Sequence, residues 1–236
     1  SKPADDIREI LEEYPYFSES CVTTVYEQFR FNRWELPDLS PDDFDTFNHP
    51  DLENVVDVSL SRDFTDDEEN TGSAVADVNG HGTKNAGLIG AIGNNGIGIS
   101  GVCWNVKIVS LRIFNQALSA SFSNLIAAIT YAQQIELPVL NYSGGGYVSK
   151  DDYNQAIQNY AGLFVCAAGN DGTNNDENHH YPADYDLPNI ISVGAVNGGD
   201  ERATWMRKGE LYGSNYGITS VDIYAPGFDI YTTTRK

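Results

Sequence analysis

The sequence predicts an α/β fold in which a mostly parallel sheet is flanked by helices. Two observations indicate this class: apolar runs alternate with segments of helical periodicity, and glycine-rich turns follow several of the runs. Strands and helices in alternation are typical of parallel sheets, because each crossover between parallel strands needs a connection that covers the sheet. With 236 residues, the chain is long enough for one sizeable domain of this class or two small ones.

The candidate elements follow one another from residue 48 onwards. Helices are predicted for the small and apolar residues after His81, for residues 122–133 and for residues 151–161. Continuous apolar runs bounded by turn residues predict buried strands. These strands are residues 55–60, 106–114, 138–143, 162–168, 189–196 and 221–226. Residues 1–47 lack this rhythm, and we interpret them as an N-terminal extension, part of a pro-region or a linker, with residues 48–236 as the predicted domain.

The composition excludes some classes of partner. The formal net charge is -20, whereas nucleic-acid binding needs basic patches, so nucleic acid is not expected as a partner. No run of about 18 apolar residues is present, which predicts no membrane span. A strongly acidic surface suits solubility, cation binding, or a saline or extracellular setting.

His81 lies between two glycines, directly before the first predicted helix. An imidazole at the mouth of a buried helix is exposed to whatever lies in front of it, and its neutral form can act as a general base. The alternative is a structural histidine at a helix terminus, which takes no part in chemistry.

Two glycine-rich stretches, residues 143–146 and 169–170, follow predicted strands. In open parallel sheets, ligand sites collect beyond the carboxyl ends of the strands. Glycines there leave backbone groups bare, so an extended peptide can pair with them by strand addition. The amide of Asn170 can donate a hydrogen bond into such a cleft, as an oxyanion-hole donor does. Each stretch alone is also typical of an ordinary tight turn.

Several stretches, in their order along the chain, resemble the subtilisin-like serine proteases, or subtilases. They are HGTKNAG at 81–87, GNNGIGIS at 93–100, LNYSGGG at 140–146, AAGN at 167–170, YPA at 181–183 and APG at 225–227. The resemblance covers residues 48–236, about four fifths of the chain. It implies a subtilisin-like three-layer fold, with a mostly parallel sheet flanked by helices, whose C-terminal part is missing.

The resemblance also implies an activity and the residues that carry it. The chain would be a serine-type endopeptidase that hydrolyses peptide bonds through an Asp-His-Ser triad, with His81 as the catalytic histidine and Asn170 as the oxyanion-hole asparagine. Residues 111–114 would lie along one side of a bound peptide. The residues implied in substrate binding are Ser143, Gly144, Gly145, Ala168 and Gly169. The ligands implied for a structural calcium ion are Asp51, Asn95, Ile97 and Ile99.

Two departures from the family pattern concern the triad. Asp45 is the nearest match to the catalytic aspartate, but Phe47 replaces the expected glycine and no apolar strand precedes it. The nucleophile motif Gly-Thr-Ser does not occur in residues 1–236. We therefore expect the serine to lie in a part of the protein outside this sequence, so that residues 1–236 alone are inactive.

The expected partner is a peptide or protein substrate. The alternative hypothesis is a catalytically inactive relative that binds peptides in the same cleft or serves as a calcium-stabilised structural domain. Because the family is mostly secreted, an extracellular or cell-surface location is expected, and the acidic charge is compatible with it.

Overall fold

The computed structural model describes residues 49–65, 77, 79–115 and 119–233. Within them the chain divides into two compact units. The N-terminal unit contains the described residues up to Ala128 together with residues 231–233. The central unit is Ile129–Ile230. Among the described residues, no helix has both the length and the apolar character needed to cross a membrane.

The N-terminal unit contains a buried helix and a short parallel strand pair. Its elements are a 3₁₀ turn (Pro50–Leu52), β1 (Arg62–Asp63), α1 (His81–Gly90) and β2 (Leu111–Arg112). Strands β1 and β2 pair in parallel, and an isolated parallel bridge joins Val56 to Ile108. Leu52, Val56 and Ala86 are buried in one cluster, against which Ile108 packs. The apolar face of α1 is thus part of the core of this unit.

The next helix along the chain, α2, is Phe122–Gln134. The remaining elements, all in the central unit, are β3 (Val139–Tyr142), α3 (Asp151–Gln158), β4 (Leu163–Ala167), β5 (Ile190–Val196), β6 (Thr204–Arg207), β7 (Glu210–Gly213) and β8 (Ile223–Pro226). Four strands form a parallel sheet in the order β3-β4-β5-β8, and β6 and β7 form an antiparallel hairpin.

In the central unit's parallel sheet, strands β4 and β5 are apolar and largely buried. The side chain of Asn189 connects this sheet to α3. Leu163 and Phe164 of β4 and Ile190 of β5 are almost fully buried. The Nδ2 of Asn189 donates to the carbonyl oxygens of Ile157 and Tyr160, at 2.8 and 2.9 Å. These bonds satisfy carbonyls at the end of α3 and fix that end beside the start of β5.

The predicted fold class is confirmed, since parallel strands alternate with helices and each predicted helix is present. The prediction of a strand at residues 55–60 was wrong. There the carboxylate of Asp57 accepts hydrogen bonds from the backbone N–H groups of Ser59 and Leu60, which stabilises a turn, and β1 begins only at Arg62. The run at residues 106–114 contributes one bridge and the short strand β2 instead of one long strand.

Candidate active site

The sequence places His81 directly before a predicted helix, and in the structure it is the first residue of α1. The preceding Gly80 has a φ of 86°, in the left-handed region that favours glycine. The imidazole is half-buried and meets the ring of Phe114 edge to face, with 6.4 Å between the ring centroids. The structure therefore brings His81 beside the segment 111–114 that was predicted to line a bound peptide.

An ion pair that reaches the same segment fixes its backbone. The Nη1 of Arg112 donates to Oδ2 of Asp63 at 2.7 Å, and both side chains are largely buried. The Nε of Arg112 donates to the carbonyl oxygen of Phe114 at 3.2 Å. Because Arg112 is held by β1 and also binds the Phe114 backbone, the aromatic neighbour of His81 has a defined position.

Asp77 caps the helix that presents His81, and the sequence analysis missed this role. Its Oδ2 accepts hydrogen bonds from the backbone N–H and the hydroxyl of Thr83, at 2.7 and 2.8 Å, while Oδ1 accepts from the N–H groups of Gly80 and Asn79. Burial alone would raise the pKa of the Asp77 carboxyl, but these hydrogen bonds outweigh it and leave the pKa below its usual range. The sequence signal for this cap was an aspartate shortly before a helical run.

Replacing Asp77 with alanine is expected to lower the free energy of unfolding by about 1 to 2 kcal/mol at pH 7, because the first turn of α1 loses its acceptor. The pKa of Asp77 is lower in the folded state than its ordinary value of 3.8, so its contribution is complete above that pH and is lost as the pH falls through the folded-state pKa. The destabilisation of D77A should therefore shrink in acid. Urea unfolding at pH 7 and below pH 3.8 tests this, with Glu53→Ala, an exposed site, as the control. Equal stability of D77A and wild type at pH 7 would contradict the capping role.

The described end of the chain packs on the first turns of α1. The hydroxyl of Thr233 donates to the carbonyl oxygen of Thr83, and the hydroxyl of Thr232 donates to that of Lys84, each at 2.6 Å. A Cβ at Gly87 would lie only 2.0 Å from Oγ1 of Thr233. The close approach of residues 232–233 to the helix that begins at His81 is thus part of the packing of the N-terminal unit.

In the central unit, the two predicted cleft segments follow neighbouring strands. Residues 143–146 follow β3 and residues 168–170 follow β4, and these strands pair in parallel with Tyr142 opposite Cys166. The predicted substrate-binding residues Ser143, Gly144, Gly145, Ala168 and Gly169 therefore lie at one edge of the sheet. Gly146 also exchanges two backbone hydrogen bonds with Tyr181, which connects the first segment to residues 180–182.

Two buried asparagines, Asn175 and Asn215, form hydrogen bonds with the backbone in and next to the second segment, residues 168–170. The Nδ2 of Asn175 donates to the carbonyl oxygen of Ala168 at 2.8 Å, and the backbone N–H of Asn215 donates to that of Gly169 at 2.9 Å. The Oδ1 of Asn215 accepts from the N–H of Asp171 at 2.8 Å. Asn170, between these anchors, is exposed, and its side-chain amide has no hydrogen-bond partner in the described part of the chain. That amide is thus available to a ligand.

Two of the predicted calcium ligands, Asn95 and Ile99, contact the buried carboxylate of a third, Asp51. Asp51 is 1% exposed; its Oδ1 accepts from the Nδ2 of Asn95 and its Oδ2 from the N–H of Ile99, both at 2.8 Å. A Cβ at Gly98 would lie 2.1 Å from Oδ2, so only glycine lets the loop close this tightly. Within the described ranges no cluster of three or more His, Cys, Asp or Glu side chains is found. A metal here would therefore depend on carbonyl and amide oxygens.

His81 lies in the N-terminal unit and Asn170 in the central unit. The structure brings His81 to the segment 111–114, the two cleft segments to each other, and Asp51 to Asn95 and Ile99. Asp45, the candidate triad carboxylate, lies outside the described residues.

Comparison with known proteins shows the family to which the chain belongs. The peptidase S8 model, which represents the Subtilase family, matches residues 42–236. The chain belongs to the subtilase family. Among curated relatives, the chain is 34% identical to an intracellular serine protease of Paenibacillus polymyxa, over 79% of this chain and 54% of that protein. It is 35% identical to thermitase of Thermoactinomyces vulgaris, over 79% of this chain and 61% of that protein.

Solved structures show the same likeness. The crystal structure of a cold-adapted subtilisin-like serine proteinase superposes with a TM-score of 0.63 at 30% identity, over 80% of this chain and 61% of that chain. The subtilisin-like α/β fold is thereby confirmed. The chain spans between about half and three fifths of the length of these relatives. One of them is named as intracellular, so membership of the subtilase family does not by itself favour an extracellular location.

Proposed function

We propose that this subtilase chain is part of a serine endopeptidase. The observation that carries the proposal is the position of His81, at the first residue of a buried helix within a chain that matches the subtilase family over residues 42–236. In this proposal His81 takes a proton from a serine hydroxyl and later returns it to the leaving amine. The substrate is a peptide or protein.

The second catalytic group in the proposal is the amide of Asn170. When a nucleophile attacks the scissile carbonyl, negative charge develops on its oxygen, and a hydrogen bond from a fixed donor stabilises that charge. The exposed amide of Asn170, on a backbone held by Asn175 and Asn215, suits this role because little reorganisation is needed. Ser143, Gly144, Gly145, Ala168 and Gly169 are proposed to bind the substrate on either side.

The remaining triad members are proposed from the sequence. The nucleophile is proposed to lie in protein sequence beyond residues 1–236, and Asp45 is proposed as the carboxylate that orients His81. An extracellular or cell-surface location, expected from the resemblance to a mostly secreted family and compatible with the acidic charge, stays a prediction.

Labelling with a fluorophosphonate probe tests the proposed function. A protein that contains residues 1–236 and the complete peptidase domain should react covalently with the probe and hydrolyse casein, and His81→Ala should abolish both. Residues 1–236 alone should not be labelled. If the complete protein folds and binds peptides but neither reacts with the probe nor hydrolyses casein, it is a non-catalytic peptide-binding relative and the proposal is wrong.

We further propose that calcium binds at Asp51. The donors present fit this ion, because Ca²⁺ prefers oxygen ligands and Asp51 is a buried carboxylate enclosed by the loop 93–99. The carbonyl oxygens of Ile97 and Ile99 would complete the set. Coordination through Oδ1 of Asn95 requires its amide to turn, since Nδ2 now faces Asp51. The bound ion would neutralise the carboxylate and fix the loop.

Removing calcium is expected to lower the melting temperature by about 5 to 10 °C, because an ion at 100-fold excess over its Kd contributes about 2.7 kcal/mol to stability. The measurement is calorimetry with excess calcium and with a chelator. Asp51→Asn should abolish the chelator-dependent shift, whereas Glu53→Gln, an exposed carboxylate on the same turn, should retain it. A chelator-dependent shift that persists in D51N would place the ion elsewhere.

A further inference from the structure

A second histidine, His180, lies between the two cleft segments of the central unit. The residue is only 6% exposed. A Cβ at Gly145 would lie 2.3 Å from its Cε1, and a Cβ at Gly169 would lie 3.2 Å from its Cδ2. Glycine at these two positions lets both segments approach the imidazole closely. The ring therefore occupies space that a side chain bound between the segments would otherwise fill.

The nitrogens of this imidazole have an unusual environment. Nδ1 is buried and has no hydrogen-bond partner within the described residues. Nδ1 lies 3.0 Å from the position that a Cβ at Gly145 would take, so the nitrogen without a partner faces the first cleft segment. A buried polar group without a partner destabilises the folded state, and natural proteins seldom retain one without a reason. A ligand bound between the two cleft segments could form a hydrogen bond with a ring nitrogen of His180.

Tyr147 lies beside His180 and narrows the space between the two cleft segments. Its ring meets His180 edge to face, with 5.2 Å between centroids. The Tyr147 hydroxyl donates to Oδ2 of Asp171 at 2.5 Å and lies 3.4 Å from Oγ1 of Thr173. Tyr147 follows the first segment and Asp171 follows the second, so this hydrogen bond connects the two. The connection limits how far they can separate to admit a large side chain.

Electrostatics favours a neutral ring at this position. Burial lowers the pKa of His180, and the charge of Asp171 opposes this only in part. A neutral imidazole has one nitrogen that donates and one that accepts a hydrogen bond. It can therefore pair with a hydroxyl, which both donates and accepts.

We propose that His180 forms the floor of the pocket for the substrate residue that precedes the scissile bond, and that it selects small side chains with a hydroxyl group, such as serine. This inference rests on the proposed function, because that function assigns residues 143–145 and 168–169 to substrate binding. Large apolar side chains are excluded by the volume of the ring. Small apolar ones fit but leave the ring nitrogens without a partner.

Peptide binding tests the proposal independently of catalysis. The 236-residue chain is titrated with a series of peptides that differ only in a C-terminal serine, alanine, leucine or phenylalanine, and Kd is measured by calorimetry. Serine should bind most tightly, and leucine and phenylalanine at least about 10-fold more weakly. Tightest binding of phenylalanine or leucine would overturn the proposal, as would the absence of binding to every peptide. Fluorophosphonate labelling of the complete protein reports the proposed function separately.

Two variants separate the volume of His180 from its polarity. His180→Ala should open the pocket, so that leucine and phenylalanine bind at least as well as serine. His180→Leu keeps much of the volume without nitrogen, so it should still exclude phenylalanine but lose the preference for serine over alanine. His179→Ala, which removes the exposed neighbour that pairs with Asp184, is the matched control and should keep the wild-type order. If H180A keeps that order as well, His180 does not set specificity.

Discussion

Replacing His81 with alanine in a protein with the complete peptidase domain is expected to reduce kcat by about 10⁶-fold, the loss measured for the catalytic histidine of subtilisin itself. Without an imidazole the serine hydroxyl keeps its proton and is a poor nucleophile. The serine and the histidine act as one unit, so a double variant should lose little more than either single variant. Initial rates with a chromogenic peptide provide the measurement.

The folded structure should survive this substitution. His81 is half-buried, and its main structural contact in the described chain is one ring edge against Phe114. The cap of α1 depends on Asp77 instead, whose four hydrogen bonds involve only the backbone around His81 and the side chain of Thr83. H81A should thus melt within a few degrees of wild type. His179→Ala should retain full activity, and an H81A protein with more than 1% of wild-type kcat would exclude His81 as the general base.

The strands of the central unit could be predicted because burial on both faces makes a parallel strand continuously apolar. Residues 162–168 and 189–196 are such runs, and β4 and β5 lie within them. The hairpin of β6 and β7 escaped prediction. Its turn residues, Lys208 and Gly209, have φ values of 52° and 85°, but Lys-Gly is a weaker hairpin signal than Asn-Gly or Asp-Gly.

Local sequence could locate some residues of the candidate site but not others. His81 and Asn170 could be located because local sequence places each at the end of an element: glycine precedes α1, and glycine follows β4. The residues that contact the cleft segments from distant parts of the chain could not be predicted. Asn215 acts on Asp171 from 44 positions away along the chain, and His180 reaches Gly145 and Gly169 only through the folded backbone. A single sequence carries no periodic or local signal for such contacts.

Replacing Asn170 with alanine is expected to lower kcat by about 10² to 10³-fold with little change in KM, a range established for the oxyanion-hole asparagine of subtilisin. The reason is that its hydrogen bond strengthens as charge develops on the substrate oxygen, so its loss affects the transition state more than the bound substrate. Asn170→Asp, which keeps the size but puts a negative charge in place of the donor, should be at least as damaging.

The surroundings of Asn170 make this a clean experiment. Its backbone is held by contacts to its neighbours, since Asn175 binds Ala168 and Asn215 binds Gly169 and Asp171, so neither variant should disturb the segment. Asn178→Ala, another exposed asparagine of the central unit, is the control and should leave kcat unchanged. Steady-state kinetics on one peptide substrate separates kcat from KM. If N170A loses activity only through KM, Asn170 binds the ground state, and the oxyanion must be stabilised by other donors.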